Sequence, residues 1–289
     1  MLKIIEKTKI WFVISCIIIL VGIGFMATKG LDFGIDFKGG TKLVLDFGKE
    51  FNKAEVDAVI TKEIPDAVTN TIEDTGKKNQ LEIKVKKVDP EKQAKMLKEV
   101  KEKYKLDDKA LVSEDTIGAS VGQELAKNSL IGLGVAMLGI LLYVAFRFEF
   151  NFGLASVIAI IHDVLITLTI YAVFQVPVNT PFIAAILTII GYSINDTIVI
   201  FDRIRENSKH YRSMDDTEVA NLSITQTFAR SINTTLTTLI TIVCVYFFVP
   251  SVREFAFPLV IGIATGAYSS IFIASPIWVL LRKRKKKIK

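Results

Sequence analysis

Hydrophobic positions along the chain gather into six long runs separated by polar connections. Each run approaches the roughly 20 apolar residues needed to cross a hydrocarbon core about 30 Å thick. Ile10 to Thr28 and Asn128 to Phe146 carry no charge; Phe152 to Phe174 is interrupted only by His162-Asp163, and Pro181 to Phe201 only by Asp196. Ser231 to Val249 and Phe255 to Leu281 complete the set, with QVPVNTP and FVPSVREFAFP as hairpin-like connections before the fourth and sixth runs. The first run is longer than the ~7–15 residue core of a signal peptide, and no A-x-A-like cleavage site follows it, so it reads as a retained span.

Between the first two runs the pattern changes to short alternating segments. GTKLVLDF alternates Leu43, Leu45 and Phe47 against polar neighbours, as a half-buried strand does. Asn52 with Glu55 three residues later predicts a capped helix through Ile64. AVTNTIEDT and LEIKVKKV read as two strands around a turn at Gly76-Lys77-Lys78-Asn79. Asp89-Pro90 opens a helix through Tyr104, and ALVSEDTI is a last strand. The order β-α-β-β-α-β predicts a ferredoxin-like split arrangement. The expected fold class is therefore a polytopic α-helical membrane protein with six transmembrane helices and one ferredoxin-like α+β extracytoplasmic domain between helices 1 and 2. Its expected divisions are residues 1–30 (N-terminus and first span), 31–122 (extracytoplasmic domain), 123–281 (spans two to six) and 282–289 (basic tail).

Composition agrees with this segregation: 51% of the 289 residues are hydrophobic while 23% are charged. Charge also sets orientation. Lys3, Lys7 and Lys9 precede the first span, Arg203, Arg205, Lys209 and Arg212 follow the fourth, and RKRKKKIK ends the chain. Positive residues in short flanks stay on the cytoplasmic side, so both termini are expected there. The basic tail reads as a topology and lipid-headgroup anchor; nothing points to nucleic acid. Cys16 and Cys244 both fall inside spans, which excludes a disulfide framework in the extracytoplasmic domain, and no metal-ligand spacing exists.

The residues that stand out are those that cost energy in a bilayer. An ionisable side chain near a helix centre costs roughly 2.5–3.5 kcal/mol on insertion scales, which makes it a functional candidate by default. Asp196 lies about five residues inside the basic flank at Asp202-Arg203, His162 and Asp163 sit near mid-membrane, and Arg230 stands at the entrance of the fifth span. Arg230, Thr234, Thr237 or Thr238, and Thr241 recur on one helical face, and Tyr192, Ser193 and Asn195 surround Asp196. Adjacent antiparallel spans would let Asp196 and Arg230 pair inside the bundle. Burial and a nearby guanidinium act on a carboxyl in opposite directions, which would poise Asp196 to load and release a proton. His162, Asp163 and Asn195 are candidate accessory members of such a relay. Gly118, Gly122, Gly132, Gly134, Gly139, Gly262 and Gly266 are candidate sites of close helix packing.

Five stretches together carry a resemblance: GIDFKGG after the first span, SVGQEL before the second, HDV in the third, GYSINDTIVIFDRIREN across the fourth and ARSINTTLTT in the fifth. They resemble SecF-type members of the SecD/SecF protein-export family, in the resistance–nodulation–division superfamily. The resemblance extends over nearly the whole chain. It implies a partner, SecD, that supplies a matching six-span half, and association with the SecYEG channel, the SecA motor and YajC. It further implies that the proton motive force is coupled to late-stage export of unfolded polypeptide, with Asp196 and Arg230 in proton passage. Gly34, Asp36, Gly39 and Gly40 would form the family motif at the entry to the external domain, here expected to be a tight, mobile connection. No cofactor is implied; the coupling ion would be H⁺, with Na⁺ the alternative.

Other readings have less support in the residues. Neither HDV nor SINDT offers the GxGD-type context of an intramembrane aspartyl protease, and no phosphate-binding loop marks an ATPase, so no enzymatic activity is expected. A non-conducting scaffold of the export complex and, more remotely, a half-transporter of small molecules are the alternatives.

Overall fold

Six helical stretches among the described residues are long and apolar enough to cross a membrane. The computed structural model describes residues 1–74, 77–85, 89–147 and 149–288. The chain forms two compact units, Met1–Asp32 with Ile131–Lys289, and Phe33–Leu130.

The first unit holds the bundle. Helix α1 covers Thr8–Thr28, α5 covers Ala119–Arg147, α6 covers Phe150–Phe174, α7 Thr180–His210 and α8 Asp216–Phe248. The last span is composite: α9 (Arg253–Ser269) passes through a π turn at Ser270–Ala274 into α10 (Ser275–Ile288). Helices α6, α7 and α9 form the interior, whereas α1, α5 and α8 expose most of their apolar side chains, as a lipid-facing surface does. Glycines set some of the closest approaches. A Cβ on Gly22 would lie 1.9 Å from Thr169 Oγ1 of α6, and one on Gly262 would lie 2.2 Å from Ile189 of α7. Gly118, Gly132, Gly134 and Gly139 have no non-local atom of the described residues within 4 Å of a Cβ position, so they set no close approach within the chain itself.

Helices α7 and α8 run well beyond the apolar segments that announced them. Asp202 and Arg203 do not end α7, which continues to His210, and α8 begins fifteen positions before Ser231, at Asp216. Hydropathy marks only the lipid-embedded part of a helix, while backbone hydrogen bonding continues through polar residues with adequate helix propensity. Asp215 starts α8 with a capping box: its carboxylate accepts from Thr217 N, while Glu218 accepts from Asp215 N. In this extension Asn207 donates to Ser223 and Gln226, and Asn221, fully buried, accepts the Ile4 and Ile5 amides and donates to Glu6. The start of the basic tail is also engaged here. Arg282 pairs with Asp216 at 3.0 Å and Lys283 with Asp215 at 3.2 Å, so these two residues bind protein rather than serving only as a headgroup anchor.

The second unit has the expected element order. After a four-residue helix α2 (Ile35–Lys38) come β1 (Gly40–Asp46), α3 (Lys53–Glu63), β2 (Val68–Asp74), β3 (Lys77–Val85), α4 (Pro90–Tyr104) and β4 (Leu111–Ile117). The strands form one antiparallel sheet in the order β2-β3-β1-β4, with Leu43 opposite Ile83 and Leu45 opposite Leu81. Leu43, Leu45, Leu81 and Ile83 pack with Val56 and Ile60 of α3 and Met96 and Val100 of α4 in a core closed to solvent. Asn52 and Asp89 cap α3 and α4 through their side-chain oxygens, but Glu55 bonds the Asn52 amide group instead of its backbone, so the capping box is incomplete. Gly76 of the expected turn and residues 86–88 lie outside the described residues; Lys77 and Lys78 belong to β3 rather than to a turn.

The glycine motif at the start of this unit lies in close contact with the backbone that follows the sheet. Gly34 is the N-cap of α2, and Asp36 lies within α2. Gly39 and Gly40 take φ values of +76° and +145°, which favour glycine. A Cβ on Gly39 would come within 2.8 Å of the Ala119 backbone, and one on Gly122 within 2.9 Å of the Phe37 carbonyl. The first turn of α5 therefore rests directly on the backbone of this motif.

Candidate functional site

Within the bundle, α7 presents two polar faces. Three residues at 100° each leave Ser193 and Asp196 about 60° apart around the helix. Asp196 points toward α8. Its Oδ1 accepts a hydrogen bond of 2.8 Å from Ser231, while its Oδ2 is buried and has no hydrogen-bond partner among the described residues. An intramembrane carboxylate oxygen without a donor is a costly arrangement.

Beside it is a cavity of about 190 Å³, lined by Tyr192, Asn195, Asp196 and Val199 of α7 and by Arg230, Thr234, Thr237 and Thr238 of α8. The structure thus brings together Asp196, Arg230, Asn195 and the threonine face; Thr241 does not line the cavity. Each of these threonine hydroxyls donates to a carbonyl of its own helix, leaving lone pairs for the cavity. Arg230 and Asn195 are exposed, so the cavity opens at the bundle surface, and no ion pair joins Asp196 to Arg230 among the described residues. The expected interior Asp–Arg pair is replaced by a shared cavity in which Ser231 holds the carboxylate. Asp196 is fourteen positions before the end of α7 and Arg230 fourteen after the start of α8, which sets them level across the hairpin.

The other two sequence candidates lie elsewhere, in a closed network. Asp163 Oδ2 accepts from Ser193 at 2.6 Å and from Ser269 at 2.7 Å, and Oδ1 lies 3.0 Å from His162 Nδ1. With the proton on Nδ1, His162 donates to Asp163 and accepts at Nε2 from Ser15, 2.9 Å away. Tyr268 stacks on the imidazole and donates to the Trp11 carbonyl. One histidine–aspartate pair therefore ties together α1, α6, α7 and α9, with Asp163 1% exposed. The structure does not place His162 or Asp163 in the Asp196 cavity.

Ser231, Ser269 and Ser15 escaped sequence reasoning. Serines in apolar helices commonly bond their own backbone, as Ser156 does to the Phe152 carbonyl, so residue type alone does not separate the two uses. The available signals were Ser15 as a lone hydroxyl in WFVISCIIIL and the Ser269-Ser270 pair in AYSSIF.

Residues 94–284 match the family described as protein export membrane protein SecD/SecF, C-terminal, and residues 24–50 match the SecD/SecF GG motif. This chain belongs to the SecD/SecF family. A Sebaldella termitidis protein translocase subunit SecF is 39% identical over 290 residues, covering 99% of this chain and 93% of that protein. A Bacillus subtilis protein translocase subunit SecDF is 36% identical over 288 residues, which cover 98% of this chain but 38% of the relative. Among solved structures, SecDF from Thermus thermophilus, a translocon-associated membrane protein, superposes with a TM-score of 0.85 at 32% identity, covering 98% of this chain and 39% of that one. The chain thus spans about two fifths of these SecDF proteins and nearly all of the SecF relative. It is a SecF-like translocase subunit and a multi-pass membrane protein.

Proposed function

We propose that the chain couples the proton motive force to late-stage polypeptide export, with Asp196 as the proton-carrying group and Arg230 as the charge that accompanies it. The observation that carries this reading is the buried, partnerless Oδ2 of Asp196 beside a surface-opening cavity that also contains Arg230. An ionised oxygen there lacks a donor, whereas a protonated one can bond a water or a neighbouring group, so loading and release of a proton alter local packing between α7 and α8. Asn195 lines the path. The ferredoxin-like unit is extracytoplasmic, both termini are cytoplasmic, and the membrane is the bacterial cytoplasmic membrane, as the basic flanks support.

A cavity open at the bundle surface also favours a second polypeptide that closes it. We assign that place to SecD; the proteins named SecDF are longer than this chain, which covers 38% and 39% of two of them. SecYEG, SecA and YajC, with an unfolded polypeptide as cargo, complete the expected assembly.

Asp196→Asn in inverted vesicles, with export completion and gradient dependence measured together, tests the reading. The variant should assemble with SecD and support the ATP-driven stage while losing gradient stimulation. Full gradient-dependent export by Asp196→Asn would overturn the relay and leave a scaffold role. Replacing Na⁺ at a fixed pH gradient separates the two coupling ions: loss of stimulation on Na⁺ removal would assign Na⁺.

A further inference from the structure

We propose that Ser193, anchored by Asp163, is a positioning residue of the Asp196 site: their hydrogen bond fixes the rotation of α7 that aims Asp196 at α8. The inference rests on the proposed role of Asp196 and gives the closed histidine–aspartate network a task within it, in place of an accessory relay.

The geometry carries the argument. Ser193 and Asp196 are one turn apart on α7, about 60° around its axis, with the first directed to α6 and α9 and the second to α8. The Ser193–Asp163 bond is 2.6 Å long and both residues are 1% exposed, so no solvent competes for it. One turn further on, the Thr197 hydroxyl meets Ser270 of the π turn at 2.8 Å, which fixes the same face of α7 a second time. Gly266 allows the close approach, since a Cβ there would lie 3.2 Å from Ser193 Cβ. Asp163 is itself immobilised by Ser269 and by His162, whose other nitrogen reaches Ser15 of α1. Rotation of α7 by a few tens of degrees would break the Ser193 bond and withdraw Asp196 from Ser231. The titratable and charged groups facing this joint are His162 and Asp163 from α6 and Tyr268 from α9; Arg230 of α8 faces Asp196 across the cavity.

Ser269 makes the proposal discriminating. It donates to the same Asp163 oxygen as Ser193 but belongs to α9, so its loss weakens the network without releasing α7. Removing either serine leaves Asp163 with two of its three donors, so both variants should fold.

The test uses the full chain with SecD in membrane vesicles. Modification of Asp196 by dicyclohexylcarbodiimide, a reagent for protonated membrane carboxyls, is read by mass spectrometry against pH, beside gradient-driven export. Ser193→Ala should shift the pH midpoint of Asp196 modification and slow gradient-driven export about tenfold, within the coupling range of contacting residues. Ser269→Ala should move the midpoint less than half as far, and Ser156→Ala, whose hydroxyl bonds its own helix, should not move it. An unchanged midpoint in Ser193→Ala, or an equal shift in Ser269→Ala, overturns the positioning role. Because modification of Asp196 is read without export, this outcome is distinct from failure of the relay reading, which Asp196→Asn reports.

Discussion

Asp163 and Asp196 occupy neighbouring helices of one bundle, and both are buried in apolar surroundings, yet Asp163 accepts three hydrogen bonds where Asp196 accepts one. Asp163 has donors on both oxygens and lies away from the cavity; Asp196 has an oxygen without a donor beside a cavity that opens at the surface. Burial by itself therefore says little about the task of an intramembrane carboxyl. Completeness of its donor set is the more informative property, because a satisfied carboxylate resists change and an unsatisfied one is close in energy to an alternative state.

The largest effect expected from this contrast is a crossed pattern of stability and coupling. Asp163→Ala removes the acceptor shared by His162, Ser193 and Ser269 and should destabilise the bundle by about 3 kcal/mol, measured by thermal unfolding in detergent. Asp196→Ala removes one hydrogen bond from Ser231 and should cost less than about 1 kcal/mol while abolishing gradient-driven export. Equal stability losses in the two variants would break the comparison.

The same contrast explains how far the sequence could be read. Asp196, Asp163, His162 and Arg230 stood out because charge within an apolar run is expensive, and the α+β unit was legible because its strands alternate and its helices begin with Asn52 and Asp89. The polar length of the α7–α8 hairpin was hidden, since hydropathy ends at Asp202 although the helix does not. The serines were hidden for a different reason: Ser156 and Ser193 are the same residue type in similar apolar contexts, and only the packing of α6 against α7 and α9 makes one local and the other a cross-link. Likewise the glycines of GIDFKGG announced a tight connection, but only the structure shows that Gly39 lies against the Ala119 backbone.

An intermediate effect should follow from the glycine at which α1 lies closest against Thr169 of α6. A Cβ on Gly22 would overlap the Thr169 side chain, so Gly22→Ala must push α1 from α6 about two turns along from the Ser15–His162 bond. Overpacking of this kind costs about 1–3 kcal/mol. Gly132→Ala in α5, with nothing near its Cβ position, should be neutral within roughly 0.5 kcal/mol. Thermal unfolding of the pair would sharpen the distinction between helices bound to the network and helices apart from it; equal behaviour would remove it.

The smallest effect concerns Asp215, remote from both membrane aspartates, at the start of α8. Hydrogen bonding from Thr217, joined by the Lys283 ammonium, holds its carboxyl down to about 2 against the opposing effect of burial. A folded-state value below the ordinary carboxylate value of about 4 means that the ionised form stabilises the fold above that pH. This contribution should fade as pH falls from about 4 through about 2. Asp215 and Lys283 are half-exposed, so solvent screening limits the effect to roughly 0.5–1 kcal/mol, comparable to loss of a helix cap. Asp215→Asn retains a capping oxygen but loses the charge; it should unfold at a slightly lower temperature than the parent at pH 6, with the difference shrinking as pH falls toward about 2. Because α8 also carries Ser231 and Arg230, a matching loss of gradient-driven export in Asp215→Asn at pH 6 would mean that the cap, and not only the Ser193–Asp163 anchor, governs the alignment of α7 with α8.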